Sequence, residues 1–439
     1  MQSTAVDLLI NCRWIIPIVP ENTVLENCSL AVNGGRIVSI LPSSEAAAHF
    51  NADTVLDLDH HILMPGLINA HTHAAMNLLR GYADNLPLKI WLEEYIWPAE
   101  KRWVSEAFVR DGTRLAMAEM IKSGTTCFSD MYFFAEEITR EVRTSGMRCQ
   151  VACTVLDFPT AGGKDADEYI HRALEVRDNC KGQDLIKVAF GPHAPYTVSD
   201  QVMQKIATYA NELDMAIQIH TQETAGEVSE FLSAQGCRPL EKLQQLGILL
   251  PQTQCVHMTQ VDQIDIQLLR DNNCHVIHCP ESNLKLASGI CPVVHLQDSG
   301  INVAIGTDSA ASNNDLDLFG ELKTAALLAS NTAGNPAAFD AHAALRMATI
   351  NGAKALGWQE EIGSLEHGKS ADMIAIEIDS ICQTPLYNPA SQLLYTNSGT
   401  QVSHSWVAGK PLMQDKKLLT LNEQGLLETA LQWQTRIHG

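Results

Sequence analysis

The sequence predicts an α/β protein: a (β/α)8 TIM barrel with a small β-sandwich subdomain built from both chain ends. Three observations predict it. The 439 residues exceed the roughly 250–300 residues that one hydrophobic core usually serves, so a large domain and a smaller one are expected. Between Met64 and about Leu356, short apolar runs alternate with helical patterns, the signature of repeated βα units around a parallel sheet. On either side of that region, β-type runs bounded by turn residues read as two all-β pieces able to pair with each other.

In chain order, residues 1–63 form the first piece, with strands over Leu8 to Cys12, Leu30 to Val32, Ile37 to Leu41 and Val55 to Leu58, broken at Asn33-Gly34-Gly35. Residues 64–362 form the barrel. Its eight candidate strands are Leu63 to Asn69, Thr125 to Asp130, Cys149 to Leu156, Ile186 to Gly191, Ala216 to His220, Gln254 to His257, His275 to His278 and Val303 to Gly306. Eight is the number that closes such a barrel. The clearest helix starts at the N-cap candidate Ser105, carries Phe108, Leu115, Ala118 and Ile121 on one stripe, and stops at Gly124. Another begins near Ser199 and presents Val202, Ile206 and Tyr209. Residues 363–439 return to β character in Ala371 to Ile378 and in Ser405 to Leu412, with a turn at Ala408-Gly409-Lys410-Pro411. The tail from Asn422 to Ile437 reads as a surface helix with Leu427, Leu431 and Gln434 on one face.

Composition narrows the partners. Against 30 Lys+Arg stand 51 Asp+Glu, a net charge of -21, which repels polyanions and makes nucleic acid and anionic membrane surfaces poor partners. A small neutral or zwitterionic ligand fits better. No uncharged apolar run approaches the ~18 residues of a membrane span, and Asp7 stands where a signal peptide carries basic residues. The 12 cysteines include no CxxC pair, which suits reduced thiols; a cytoplasmic protein is expected. Apolar surface on the barrel helices is compatible with a homo-oligomer.

Catalytic groups of such a barrel stand where strands end at its C-terminal face. Six predicted ends carry imidazole or carboxylate: His71-Thr72-His73, His193, His220-Thr221-Gln222-Glu223, His257, His278 and Asp308. With 16 His in the chain, about half of one His-x-His is expected by chance. Asp308 alone reads as a helix N-cap, and His220 and His257 alone as core histidines. Their recurrence at the ends of strands in one barrel is what turns them into a site. His71, His73, His220 and Asp308 offer three nitrogens and one oxygen, a set suited to zinc with a position left for water.

These residues, together with Met64-Pro65-Gly66-Leu67-Ile68-Asn69-Ala70 before the histidine pair and Gly363-Ser364-Leu365-Glu366-His367-Gly368-Lys369-Ser370-Ala371-Asp372 after the barrel, resemble the amidohydrolase superfamily. Trp91, Trp97-Pro98-Ala99-Glu100, Gly146-Met147-Arg148, Gly191-Pro192-His193 and His220-x-x-Glu223 are similar to its 5′-methylthioadenosine/S-adenosylhomocysteine deaminases. The resemblance implies one divalent ion per chain, zinc first and Fe2+ or Mn2+ as alternatives. Binuclear hydrolases on this fold end strand 4 in a modified lysine, whereas His193 stands there. It also implies hydrolytic deamination at C6 of an adenine nucleoside: methylthioadenosine, S-adenosylhomocysteine or adenosine. Asp308 would be ligand and base, His257 would orient the attacking oxygen, and Glu223 would protonate ring N1. By the same carry-over Glu100 would accept from both ribose hydroxyls, Trp91 would wall the sugar or its 5′ substituent, and Arg148 and His193 would line the pocket, Arg148 toward a homocysteine carboxylate.

One departure from the pattern is acidic: Asp165-Ala166-Asp167-Glu168-Tyr169 lies where some members carry a further arginine, which favours methylthioadenosine over S-adenosylhomocysteine. Rival readings are a guanine or 8-oxoguanine deaminase or a triazine chlorohydrolase on the same metal cage, and a non-catalytic homologue that keeps the barrel alone. Glu100 separates a nucleoside enzyme from the free-base and triazine readings; a complete ligand and acid/base set opposes the non-catalytic one. The HxE and PCxxC strings of the cytidine-type zinc deaminases are absent.

Overall fold

The computed structural model describes residues 3–438. Its centre is a parallel sheet of eight strands that follow one another in sequence order: Leu67–Thr72, Thr125–Asp130, Arg148–Val155, Ile186–Pro192, Ile217–Thr221, Thr253–His257, His275–His278 and Asn302–Ile305. The eighth strand returns to the first, where Asp308 N–H donates to His71 O at 3.1 Å and Thr72 bridges Asp308 in parallel. That seam is tight. A Cβ on Gly306 would lie 2.8 Å from the His71 nitrogen, so only glycine lets the last strand approach the first this closely.

The expected first strand, Leu63 to Asn69, is divided in the structure. Leu63 to Pro65 end the long strand Phe50–Pro65 of the second sheet, and the barrel begins only at Leu67. Pro65 has no N–H to continue the ladder, and a Cβ on Gly66 would fall 2.1 Å from Thr126 Oγ1, so the chain changes sheets at the one residue that fits there.

The helix foreseen from Ser105 runs over Glu106–Ser123, with the Ser105 side chain accepting from Phe108 N–H and Gly124 closing it in the left-handed region. The helix expected near Ser199 covers Asp200–Leu213. Helices and strands bury one continuous core in which Phe108, Phe128, Phe190 and Phe319 are fully enclosed. Among the described residues, no helix is long and apolar enough to cross a membrane.

Both chain ends join in one mixed sheet of eight strands. Met373–Glu377 pairs antiparallel with Phe50–Pro65, which lies parallel to Thr4–Ile15; Val402–Val407, Lys410–Gln414 and Lys417–Leu418 extend one side, Leu25–Asn33 and Arg36–Pro42 the other. This sheet encloses a core of its own, with Ile10, Leu30, Leu63, Met373 and Trp406 among its members.

The terminal helix, Glu423–His438, turns the opposite face inward from the one its leucines suggest. Leu427 and Leu431 are 53% and 61% exposed, while Trp433 is buried edge-on against Phe108 and donates to Asp111 Oδ2 at 3.0 Å. The large indole, with a polar partner for its N–H, takes the buried position and leaves the two leucines at the surface.

Candidate active site

The C-terminal strand ends converge on a cavity of about 590 Å3 lined by His73, Trp91, Glu100, Tyr132, His193, His220, Glu223, His257 and Asp308. Two groups of donors meet at its floor: one atom each from His71, His220 and His257, and one each from His71, His73 and Asp308, lie within 4.8 Å of one another.

The hydrogen bonds behind the imidazoles settle what they offer. His71 Nδ1 donates to Gln218 Oε1 at 2.8 Å, whose amide nitrogen is itself committed as a donor to Ala70 O at 3.0 Å. His73 Nδ1 donates to Met131 O at 2.6 Å and His220 Nδ1 to His193 O at 2.7 Å. Each of the three rings, in its neutral form, therefore presents an Nε2 lone pair to the cavity floor, and the Nε2 atoms of His71 and His220 face each other at 3.2 Å. Lone pairs so opposed suit a Lewis acid between them. Asp308 Oδ1 completes the group, 3.3 Å from His73 Nε2 and 3.6 Å from His71 Nε2. Its Oδ2 accepts from Ser282 Oγ at 2.7 Å and Ser312 Oγ at 3.1 Å. The residues fit a divalent metal with a mixed nitrogen and oxygen set.

His257 is oriented the other way. Asn283 Nδ2 donates to its Nδ1 at 3.0 Å, so the neutral ring carries its proton on Nε2, 3.5 Å from Glu223 Oε2. His257 and Asp308 both hold left-handed backbone, with φ of 77° and 60°. Such strain in non-glycine residues survives only where the surroundings enforce it, and here it re-aims two side chains at strand ends.

Burial, aided by the charge of Asp308, pushes the Glu223 carboxyl up to about 8, so this acid holds a proton at neutral pH. Ser288 Oγ hydrogen-bonds Glu223 Oε1 at 3.1 Å, and Glu227 Oε2 accepts from the Glu223 backbone N–H at 2.7 Å. Asp308 behaves in the opposite sense: burial opposes its ionisation, but in the metal-free site a hydrogen bond from His71 and the charge of His73, when these rings are protonated, outweigh burial and hold it well below the usual carboxylate range. Burial and neighbouring His73 lower His193 to about 3, leaving a neutral ring in the cavity wall.

Glu100 lies on the helix Trp97–Trp103, where enclosure pushes its carboxyl up to about 7 against the opposing hydrogen bond from Tyr132. Trp91 is buried, with its Nε1 donating to Ala83 O at 3.1 Å. His278 is buried next to His257 and does not line the cavity.

Arg148 is elsewhere, and its expected place in the pocket is corrected. It is the first residue of its strand, whose far end carries the cavity residues Thr154 and Leu156. Its guanidinium is buried against Asp372, Nε to Oδ2 at 2.9 Å and Nη2 to Oδ1 at 3.3 Å, and also donates to Asp184 O. The acidic run is likewise spent locally: Asp165 caps a helix by accepting from Glu168 N–H, Asp167 pairs with Lys205 and Glu168 with Arg172. None of them lines the cavity, whereas Lys101 does.

Four supporting residues escaped the sequence reading. Gln218 lies inside a strand, Asn283 in the short helix Pro280–Lys285 and Ser288 on the loop after it, positions without a pattern of their own. Glu227 had a signal: Thr224 and Glu227 form a Thr-x-x-Glu capping pair, in which Thr224 accepts from Glu227 N–H at 3.0 Å.

Relatives carry the same architecture. The amidohydrolase family profile matches residues 62–412. The 5-methylthioadenosine/S-adenosylhomocysteine deaminase of Teredinibacter turnerae is 50% identical over 435 residues, covering 99% of this chain and 98% of that one. The 5′-deoxyadenosine deaminase of Methanosarcina acetivorans is 39% identical over 424 residues, 97% and 96% of the two chains. A crystal structure of an adenosine deaminase from Xanthomonas campestris with bound Zn superposes with a TM-score of 0.98 at 44% identity, covering 100% of both chains. With a profile that spans most of its length and relatives that match from end to end, the chain belongs to the amidohydrolase family and, within it, to the 5-methylthioadenosine/S-adenosylhomocysteine deaminases.

Proposed function

We propose that the chain is a metal-dependent aminohydrolase that converts adenine nucleosides with an apolar 5′ substituent, methylthioadenosine above all, to the inosine analogue and ammonia. The observation that carries this reading is the pairing of two features in one cavity: two donor triads that share His71 at the floor, one with His220 and His257 and one with His73 and Asp308, and the carboxyl group of Glu100 in the wall. Zinc on His71, His73, His220 and Asp308 is the ion this donor set favours, one per chain, and a bound ion supplies a water acidic enough to attack at neutral pH.

The remaining steps belong to side chains. Glu223 holds its proton at neutral pH and delivers it to ring N1 as C6 becomes tetrahedral. Asp308 takes one proton from the attacking water and passes it to the departing amine, which leaves as ammonia; the other water proton, released as the C6 carbonyl forms, restores the acid on Glu223. His257 donates from Nε2 to the attacking oxygen and holds it over C6. Glu100 accepts from the two ribose hydroxyls, as an acceptor-only group can. His193 and Trp91 wall the base and sugar, and the apolar remainder, including Ile96, Trp97, Leu156 and Phe158, receives the 5′ group. Among the described residues Lys101 is the one ammonium on the cavity wall, and it takes over the part expected of Arg148, meeting a carboxylate at the end of a longer 5′ tail.

Rates on methylthioadenosine, S-adenosylhomocysteine, adenosine and guanine, measured side by side with the zinc-loaded protein, test the reading. Methylthioadenosine should lead and guanine should be inert. Guanine turned over as well as the nucleosides would replace it with a free-base deaminase.

A further inference from the structure

Glu100 is assigned above to the ribose, yet a carboxylate on a short helix in the wall of a wide cavity needs something to hold it in one rotamer. The structure shows what does. Tyr132 OH donates to Glu100 Oε1 at 2.7 Å, and among the described residues this is the only hydrogen bond made by the Glu100 side chain. Tyr132 is 4% exposed, with its ring packed against Phe133 at 5.2 Å between centroids. The residue before it, Met131, is fixed at both of its backbone groups: its N–H donates to Thr72 O at 3.0 Å and its carbonyl accepts from His73 Nδ1 at 2.6 Å. One peptide step thus separates the carbonyl that orients a metal-site imidazole from the phenol that orients the ribose acceptor.

We propose that Tyr132 is a positioning residue that fixes the distance from the metal floor to the ribose and so makes selection for the 2′,3′-diol a built-in property of the second strand end. The proposal rests on the ribose reading of Glu100. The phenol occupies one lone pair of Oε1 and leaves the other Oε1 lone pair and both on Oε2 to accept from the two hydroxyls. It also works against the burial that raises the Glu100 carboxyl, favouring the ionised form that can accept twice. Without the phenol, the carboxylate is free to turn away from the diol, and the diol loses its advantage over a deoxy sugar.

The test is Tyr132→Phe, which keeps the ring and removes the hydroxyl, assayed with the zinc-loaded protein on methylthioadenosine and on its 2′-deoxy and 3′-deoxy analogues. The parent should disfavour each deoxy analogue at least about tenfold in kcat/KM, since each leaves a carboxylate lone pair unpaired. In the variant, KM for methylthioadenosine should rise about tenfold with kcat within about threefold, and the penalty for a missing hydroxyl should shrink to about twofold. Zinc content should not change. In the Glu100→Gln background, Tyr132→Phe should add little, because the phenol acts through the carboxylate. A variant that slows on all three substrates alike, with the hydroxyl penalty intact, would overturn the positioning role. A variant that does not fold is judged by Tyr132→His, whose ring retains a donor: it must keep a larger hydroxyl penalty than Tyr132→Leu for the proposal to stand. A parent that accepts the deoxy analogues as readily as methylthioadenosine would overturn the ribose reading, and with it this one.

Discussion

At the scale of single residues, this site is governed by which ring nitrogen carries the proton. His71, His73 and His220 each donate from Nδ1 to a fixed oxygen and so must offer Nε2 as a lone pair, whereas Asn283 gives His257 the opposite arrangement. The protein should therefore bind about one divalent ion per chain, and metal analysis of His71→Ala and Asp308→Ala should show its loss. Gln218→Leu removes no ligand, yet it frees the His71 tautomer and should weaken metal affinity about 10- to 100-fold in a chelator competition. Glu223→Gln should keep the ion and lower kcat by about 10² to 10⁴, because the amide has no proton to transfer. Glu223 also makes the metal-free protein pH-sensitive. Its carboxyl stands at about 8 in the fold and at about 4.3 in an unfolded chain, so between these values the native state binds more protons. Its contribution to stability is fully present below about 4.3 and is lost as pH rises toward 8. Denaturation midpoints across that window should fall less steeply in Glu223→Gln than in the parent.

At the scale of elements, direction along a strand decides what a residue can do. Arg148 and Thr154 share one strand, but the arginine opens it and faces the mixed sheet while the threonine nears its end and faces the cavity. Polar groups at the N-terminal face of a barrel serve stability and those at the C-terminal face serve chemistry. Arg148→Met should accordingly cost about 3–5 kcal/mol of stability by leaving Asp372 buried and unpaired. It should leave the ratio of rates on methylthioadenosine and S-adenosylhomocysteine unchanged. Lys101→Met is expected to do the reverse, lowering kcat/KM for S-adenosylhomocysteine about fivefold while sparing methylthioadenosine and stability, as suits the loss of one solvent-exposed ion pair. The seam of the barrel gives a third case. Gly306→Ala should be severely destabilising, since its Cβ meets three backbone and side-chain atoms of His71 within 2.9 Å.

At the scale of the whole molecule, the two ends of the chain are one structure. Met373–Glu377 pairs with Phe50–Pro65, and the Arg148–Asp372 ion pair ties that sheet to the floor of the barrel. A chain cut after residue 362 would leave the apolar edge of Phe50–Pro65 unpaired and Arg148 without its partner, and should be recovered only as aggregate.

Much of this was legible in the sequence because it is local. The period of the apolar runs marks the barrel strands, Ser105 and Gly124 mark the ends of a helix, and the strand-end rule picks out His71, His73, His220, His257 and Asp308, since a residue's place on its own strand is written in its immediate neighbours. The same rule, applied to the start of a strand, would have kept Arg148 out of the pocket. What depended on contacts between distant segments was not legible. That Gly66 rather than a strand centre marks the crossing between sheets follows from the approach of Thr126, the rotation of the last helix follows from a tryptophan meeting Phe108 and Asp111, and the tautomers of the histidines follow from Gln218, Met131, His193 and Asn283. The sequence by itself determined the chemistry available at each strand end. Only the tertiary structure decided how those groups are protonated, held and faced, because desolvation and hydrogen bonding are properties of the neighbours that folding brings together.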